Sequence, residues 1–327
     1  MSKPIIVSGM QPTGSLHIGN YLGALKNWVE LQNSGKYEMY LFVADLHSLT
    51  IQLKPEERRE NSKLLATEYI AAGIDPEKTT MFVQSYVPEH AELAWIFNCV
   101  TPLTELYRMT QFKDKAERNE KNINAGLLTY PILQAADVLL YKATMVPVGQ
   151  DQVQHLELTR DCARWFNNRY GNFFPEIKPL LTEIPKVMSL LEPTKKMSKS
   201  AGEPHYIALA DEPKVIAAKL KKAVTATAGG GGSPGAANLL TLLKQFGSAE
   251  LHKKFVTDEK VGMIRYGDLK QELATAIADY FAGFRKRRSM LLADKHELEN
   301  ILARGAERAS AVAHKTMRKV RQMIGIL

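Results

Sequence analysis

Two stretches of the chain carry the residue types needed to hold a polyphosphate. The first, Ser8-Gly9-Met10-Gln11-Pro12-Thr13-Gly14-Ser15-Leu16-His17-Ile18-Gly19-Asn20, follows the apolar run Pro4 to Val7 and feeds a helical pattern to about Gln32. It reads as a strand, a glycine-punctuated turn and a helix N-terminus. A junction of that kind aims several backbone N–H groups and the positive end of a helix dipole into one space, where an anion is stabilised. Glycines let the backbone come close to such a ligand. The stretch has neither the P-loop ending in Gly-Lys-Ser/Thr nor the three-glycine dinucleotide fingerprint. Its own form is Pro12-Thr13-Gly14-x-x-His17-x-Gly19-Asn20, and read alone it also fits an ordinary strand-to-helix turn with a surface histidine. The second stretch is Glu192-Pro193-Thr194-Lys195-Lys196-Met197-Ser198-Lys199-Ser200, with three lysines and two serines within six residues. A cationic loop after a proline can reach a phosphate chain, although a lysine-rich run is also what a solvated face looks like.

The elements around these stretches suit such a site. Four short runs, Pro4 to Val7, Tyr40 to Ala44, Met81 to Val83 and Met145 to Val148, are apolar throughout, as strands buried on both faces should be. Helical patterns separate them. One opens at Pro55-Glu56-Glu57, carries the stripe Leu65, Tyr69 and Ala72, and closes at Gly73. The alternation predicts an α/β fold, a doubly wound parallel sheet of Rossmann-like type, with ligands at the carboxyl ends of the strands. Gly9 to Asn20, Asp45 to His47 and Gly149 to Gln152 all follow strands and would meet there.

Past about residue 190 helical patterns dominate. Leu269, Leu273, Ile277, Tyr280 and Phe284 form one amphipathic stripe, and a final helical pattern from Asp294 is expected to break at Gly305. Gly229 to Gly232 reads as a surface loop without function. We therefore expect a catalytic domain over 1–193 and a smaller all-helical domain over 194–327, its last helix packing back on the first. The net charge of +8 favours an anionic partner, nucleotide or nucleic acid. Cys99 and Cys162 support neither a disulfide framework nor a thiolate metal site, so a reducing cytoplasm is expected. The apolar run at the N-terminus is too short for a signal peptide, and no run is long enough for a membrane span.

The pairing of a histidine-glycine turn on the first helix with Lys196-Met197-Ser198-Lys199-Ser200 late in the same sheet domain resembles the two signatures of class I aminoacyl-tRNA synthetases. The chain is most similar to the tryptophanyl-tRNA synthetases of bacterial type. Ser8 to Leu25, Gly73 to Lys78, Val87-Pro88-Glu89-His90-Ala91, Arg108 to Lys113, Ala125 to Pro131, Val146 to Gly149 and Met188 to Leu191 look like family blocks in family order. The resemblance thins in the helical tail.

That resemblance implies ATP binding by Gln11, Pro12, Thr13, Gly19, Asn20, Gly149, Gln150, Asp151, Val187 and Lys196, Met197, Ser198, Lys199 and Ser200. It implies catalytic roles for His17, Lys113, Lys196 and Lys199, and magnesium carried on phosphate oxygens, with no protein metal site evident. For the amino acid, Tyr130, Gln134 and Asp137 share one helical face. Indole N–H donates one hydrogen bond and accepts none, so the carboxylate of Asp137 is its natural partner; without the resemblance, pairing of Asp137 with a nearby base is the simpler reading. His47, Val7, Val146, Val148 and Gln152 match positions lining the family pocket, the apolar ones fitting plain core equally well. Gln150, Gln134 and Val7 stand where many members have glutamate, methionine and phenylalanine. The spacing of Gln134 and Asp137 also occurs in tyrosyl enzymes.

The resemblance further implies L-tryptophan and tRNA(Trp) as substrates, a homodimer, and a basic helical tail, Arg285 to Arg288 and Arg318 to Arg321, near the tRNA. A tyrosyl enzyme, a non-catalytic tRNA-binding relative and a nucleotidylyltransferase are the competing readings.

Overall fold

The computed structural model describes residues 3–109, 124–148, 153–181, 185–225 and 233–326. Its centre is a parallel sheet of five strands, β1 (Ile5–Met10), β2 (Glu38–Val43), β3 (Thr79–Val83), β4 (Met145–Val148) and β5 (Lys178–Leu181). The order across the sheet is β3-β2-β1-β4-β5, with Ile5 opposite Glu38, Met39 opposite Thr79 and Met145 opposite Lys178. This is the doubly wound arrangement expected from the sequence, and its switch point lies between β1 and β4. Four strands coincide with the apolar runs. The fifth was not expected, because Lys178-Pro179-Leu180-Leu181 carries a lysine and a proline and lies at the sheet edge, where both are tolerated.

Uninterrupted apolar strands follow from burial on both sides. Ile6, Met39, Leu41, Val43, Met81 and Val83 face one hydrophobic cluster, while Val7, Tyr40, Phe42, Ala44 and Phe82 face the other. The first cluster runs on without a gap into Leu239, Leu269, Ile277 and Leu302 of the helical tail.

Helix α1 (Ile18–Asn20) passes through a π-helical turn, Tyr21–Leu25, into α2 (Lys26–Asn33). Tyr21 meets the tail: its hydroxyl lies 2.8 Å from that of Tyr280 and its ring is edge-on to Phe281. Trp28 is edge-on to Tyr69 of α3 (Pro55–Ala71), and Gln32 bonds Gly73 O, Asp75 N–H and the Thr79 hydroxyl. Further helices are α4 (Glu89–Asn98), α5 (Leu103–Tyr107), α6 (Ala125–Leu139), α7 (Val153–Tyr170), α8 (Pro213–Lys222), α9 (Pro234–Phe246) and α10 (Ala249–Lys260), then α11 (Tyr266–Tyr280), α12 (Ala282–Ala293) and α13 (Lys295–Ile324).

Two expectations for the tail are corrected. The stripe Leu269 to Phe284 spans two helices, because Phe281 leaves helical geometry (φ −94°, ψ 9°) to fill an aromatic corner with Tyr21 and Phe246. Gly305 breaks nothing: α13 runs straight through it across β3 and α4, burying Ala309, Ala313, Met317 and Val320. A Cβ at position 305 would stand 1.7 Å from the carbonyl oxygen of Met81, so glycine here lets a helix lie directly on a strand backbone. Around that contact His314 Nε2 lies 2.6 Å from Glu89 Oε1, Arg308 donates to Pro76 O at 2.7 Å, and Arg321 forks onto the Glu92 carboxylate.

Gly305→Ala should therefore lower the unfolding free energy by about 1–3 kcal/mol or more through overpacking. Gly283→Ala, with open space around its Cβ, should be neutral or slightly stabilising in the same urea titration. Equal effects of the two substitutions would contradict the packing argument.

Candidate active site

The turn after β1 and the serine-lysine loop meet. Ile18 N–H donates to Ile207 O (3.0 Å) and Leu209 N–H to Leu16 O (2.9 Å), an antiparallel bridge centred on His17 and Ala208. The segment just after the loop is thereby laid alongside the helix N-terminus. Met197, buried, packs below, and its N–H donates to Val187 O, which fixes the loop to the strand-like segment before it.

His17 caps its own helix. Its Nδ1 accepts from Gly19 N–H (3.0 Å) and Asn20 N–H (3.3 Å), while Asn20 Oδ1 accepts from His17 N–H. Nδ1 must be unprotonated to do this, which leaves the proton on Nε2 as a donor. Burial, with the ammonium groups of Lys199 and Lys196 second and third, lowers the imidazole pKa to about 4, so the neutral form is the resident one. Gly19 follows from the same geometry: a Cβ there would be 2.8 Å from His17 Cε1. The glycine expected to let the backbone approach a ligand is required first by the folded-back ring. Asn20 is likewise part of the cap.

Lys199 reaches back across the gap. Its Nζ donates to the carbonyls of Thr13 (2.9 Å), Gly14 (3.1 Å) and Ser15 (3.1 Å). Burial lowers its pKa, against the opposing charge of Glu68. Lys196 is exposed, and Ser198 caps a short 3-10 turn by accepting from Ser200 N–H. Gln11 donates to His47 O at 3.1 Å, which joins this turn to the loop after β2. Pro12 is buried beside them.

The second half of the site centres on Asp137 of α6, 1% exposed. Its Oδ1 takes Gln84 Nε2 (2.6 Å) and His90 Nδ1 (2.6 Å), and its Oδ2 lies 2.7 Å from His47 Nε2. The Tyr141 hydroxyl lies 2.8 Å from His90 Nε2, which selects the tautomer that donates to Asp137. Burial alone would raise the carboxyl pKa; the two imidazoles and their hydrogen bonds outweigh it and hold the group ionised. Asp137 thus does pair with neighbouring bases, the simpler of the two readings of the sequence. Three donors leave room for one more on a carboxylate with roughly four acceptor positions.

Tyr130 stands beside this group, its hydroxyl 3.0 Å from His155 Nε2, and Gln134 is half-buried on the same helix. Val7 and Val146 belong to the core cluster under the sheet that α6 also lines. An open cavity of about 420 Å3 takes in His47 and Tyr130 with Leu46, Leu49, Ala94, Trp95 and Leu133, but not Asp137, Gln134, Val7 or Val146. Lys113, Gly149, Gln150, Asp151, Gln152 and the Gly229 to Gly232 loop lie outside the described residues, as does the side chain of Val148. Among the described residues no three His, Cys, Asp or Glu side chains gather to hold a metal ion.

Gln84, His90, Tyr141 and Glu68 join the site without belonging to either motif. Gln84 directly follows β3 at the carboxyl edge, and His90 stands in the block Val87 to Ala91, signals that were available. The basic tail divides: Lys286, Arg287, Arg318 and Lys319 are exposed, whereas Arg285 donates to Ala278 O, Arg288 pairs with Glu68 and Arg321 with Glu92. Those three arginines are held within the fold.

The neutral His17 has a thermodynamic signature. The folded chain binds a proton there only near pH 4, the unfolded chain near 6.5, so stability falls as pH drops through that window. His17→Asn keeps an acceptor without a titrating ring and should flatten that part of the decline in thermal melts; an unchanged profile would contradict the assignment.

The family description tRNA synthetases class I (W and Y) matches residues 1–282. The chain is 47% identical to the tryptophan–tRNA ligase 2 of Streptomyces avermitilis, covering 99% of this chain and 98% of the relative. It is 44% identical to the tryptophan–tRNA ligase of Clostridium tetani, covering 100% and 97%. The crystal structure of the Campylobacter jejuni tryptophanyl-tRNA synthetase complexed with ADP and tryptophan superposes with a TM-score of 0.87 at 33% identity, covering 98% of this chain and 99% of that one. With a doubly wound sheet, paired motifs joined at its carboxyl edge and this coverage, the chain belongs to the class I tRNA synthetases of the tryptophan and tyrosine group.

Proposed function

We propose that this protein is a tryptophan–tRNA ligase. The observation that supports this most is the junction of the His17 turn with the Lys196 to Ser200 loop, at the switch-point edge that also carries Asp137. The carboxylate of L-tryptophan attacks the α-phosphorus of ATP, the bond to the bridging oxygen breaks, and pyrophosphate leaves. The acyl group of the adenylate then passes to a hydroxyl of the 3′-terminal ribose of tRNA(Trp), releasing AMP. Displacement at phosphorus needs alignment and charge compensation, so no side-chain nucleophile is required.

His17 Nε2–H donates to a phosphate oxygen, with Gln11, Pro12, Thr13, Gly19, Asn20 and the 149–151 segment around the nucleotide. Lys196, Lys199 and Lys113 neutralise the departing pyrophosphate. Lys199 exchanges its three carbonyl partners for phosphate oxygens as the loop closes. Magnesium would be held by the phosphates of ATP rather than by a protein cluster, and would supply further charge compensation there. Asp137 accepts the indole N–H at its remaining position, with Tyr130, Gln134, His47, Val7, Val146, Val148 and Gln152 around the ring. Residues 1–193 form the activating domain, and 194–327 carry the loop and the tRNA-binding helices, with the exposed Lys286, Arg287, Arg318 and Lys319 toward RNA. The protein works in the cytoplasm; among the described residues no helix is long and apolar enough to cross a membrane. It acts as a homodimer through the face where Leu49 (60% exposed) and Trp95 (70% exposed) line the open cavity.

Pyrophosphate exchange into ATP, run with each amino acid, should depend on tryptophan and reject phenylalanine, which has no N–H to donate to the remaining acceptor position of Asp137. Tyrosine dependence would identify the sister activity, and no exchange a non-catalytic relative. Lys196→Ala and Lys199→Ala should each slow the exchange about 10²- to 10³-fold with little change in tryptophan KM. Equal losses in rate and tryptophan affinity would contradict their assignment to pyrophosphate. Trp95→Asp should convert a sedimenting dimer to monomer; an unchanged sedimentation coefficient would place the dimer contact elsewhere.

A further inference from the structure

Glu68 lies on α3, outside both motifs, and is completely buried. A carboxylate in that position is strongly destabilised unless its oxygens receive donors. Glu68 receives two. Its Oε2 accepts from the backbone N–H of Leu16 at 2.6 Å, and its Oε1 accepts from Arg288 Nε at 3.0 Å. Leu16 is the residue before His17, and its carbonyl accepts from Leu209 N–H. The peptide that sets the direction of the His17 ring is thus gripped on one side by Glu68 and on the other by the segment following the serine-lysine loop. Arg288 comes from α12, in the helical tail, 220 residues further along the chain.

We propose that Glu68 is a positioning residue for the ATP site, held in place by Arg288. Through this pair the helical tail sets the shape of the nucleotide-binding turn. The inference rests on the ATP-binding reading of that turn. The reason lies in Lys199. In the structure its ammonium organises the row of carbonyls from Thr13 to Ser15. When Lys199 turns to phosphate, that row loses its cation, and the carbonyls are free to reorient. The bond from Leu16 N–H to Glu68 shares no atom with Lys199, and Arg288 keeps a cation at Glu68 after the Lys199 charge has moved off. It keeps the His17 cap and its Nε2 donor aimed while the loop moves. Burial raises the Glu68 carboxyl pKa, and the Leu16 N–H and Arg288 oppose that rise; losing Arg288 moves the group further toward the protonated form, a weaker acceptor. The same geometry takes Arg288 away from the nucleic-acid surface: its guanidinium is turned into the protein toward Glu68 and cannot also grip a phosphate with that nitrogen.

The test is pyrophosphate exchange and tRNA charging with Glu68→Gln, Arg288→Ala, Arg288→Lys and the Glu68→Gln/Arg288→Ala double variant, alongside thermal melts. Glu68→Gln keeps the shape but sets an amide donor or a weaker acceptor against Arg288. It and Arg288→Ala should each lower exchange kcat about tenfold to a hundredfold and raise the KM for ATP, with tryptophan KM unchanged. The double variant should be no worse than the poorer single one, because both break one unit. Arg288→Lys retains the charge and should recover part of the loss, and it carries the test if Glu68→Gln fails to fold. Three results would overturn the proposal: wild-type ATP kinetics with only a lowered melting temperature, additive losses in the double variant, or a rise confined to the KM for tRNA on Arg288→Ala. If the wild-type protein exchanges no pyrophosphate with any amino acid and does not bind ATP in calorimetry, the ATP reading itself fails; if it does both, a null result in the variants is the failure of this pair alone.

Discussion

Two backbone hydrogen bonds hold the chemistry of this protein together. Ile18 N–H to Ile207 O and Leu209 N–H to Leu16 O join a turn near the start of the chain to a segment almost two hundred residues later. Neither motif is a site alone. The turn offers a neutral imidazole and the loop offers ammonium groups; an anion with several charges needs both. Because the join is made by backbone, it does not consume the side chain of Lys196, which is exposed, while Lys199 reaches back to the turn through its own ammonium group. Met197, fixed between Val187 and the turn, keeps the loop near while its tip remains exposed.

Two buried carboxylates show how the fold tolerates charge away from water. Asp137 is surrounded by two imidazoles and an amide; Glu68 by a guanidinium and a backbone N–H. In each case the donors are supplied by elements far apart in sequence, so the charge also records correct assembly. An anion whose partners come from the turns after β2 and β3 and from α4 is satisfied only when those strands are paired and α4 is docked. The loop after β2 links the two halves directly, since His47 contacts Asp137 through its ring and Gln11 through its carbonyl.

Much of this was legible in the sequence, for identifiable reasons. Strands buried on both faces write themselves as unbroken apolar runs, and four of the five did so. The edge strand at Lys178 has no such need and left no mark. The two motifs were legible because their glycine, histidine and lysine content is unusual. The partners of Asp137 were less so: Gln84 and His90 are ordinary residues until the sheet places them at one edge, and Glu68 in a polar helix looks like any solvated acid. The tail misled where close packing overrode local preference. Gly305 reads as a breaker, yet it is the residue that lets α13 touch the backbone of β3, and Phe281 reads as part of a stripe, yet it turns the chain to enter an aromatic corner.

The single wide turn at Tyr21–Leu25 gives the first helix a surplus residue. Each residue of an ordinary helix advances the side-chain direction by about 100°, and a π turn advances it less, so everything beyond Leu25 lags behind a regular wheel. That lag lets one short rod serve two masters: before it, Tyr21 looks toward Tyr280 and Phe281, and after it, Trp28 and Gln32 look toward Tyr69 and the end of α3. A helix of constant pitch through the same points would have had to forgo one of those neighbours.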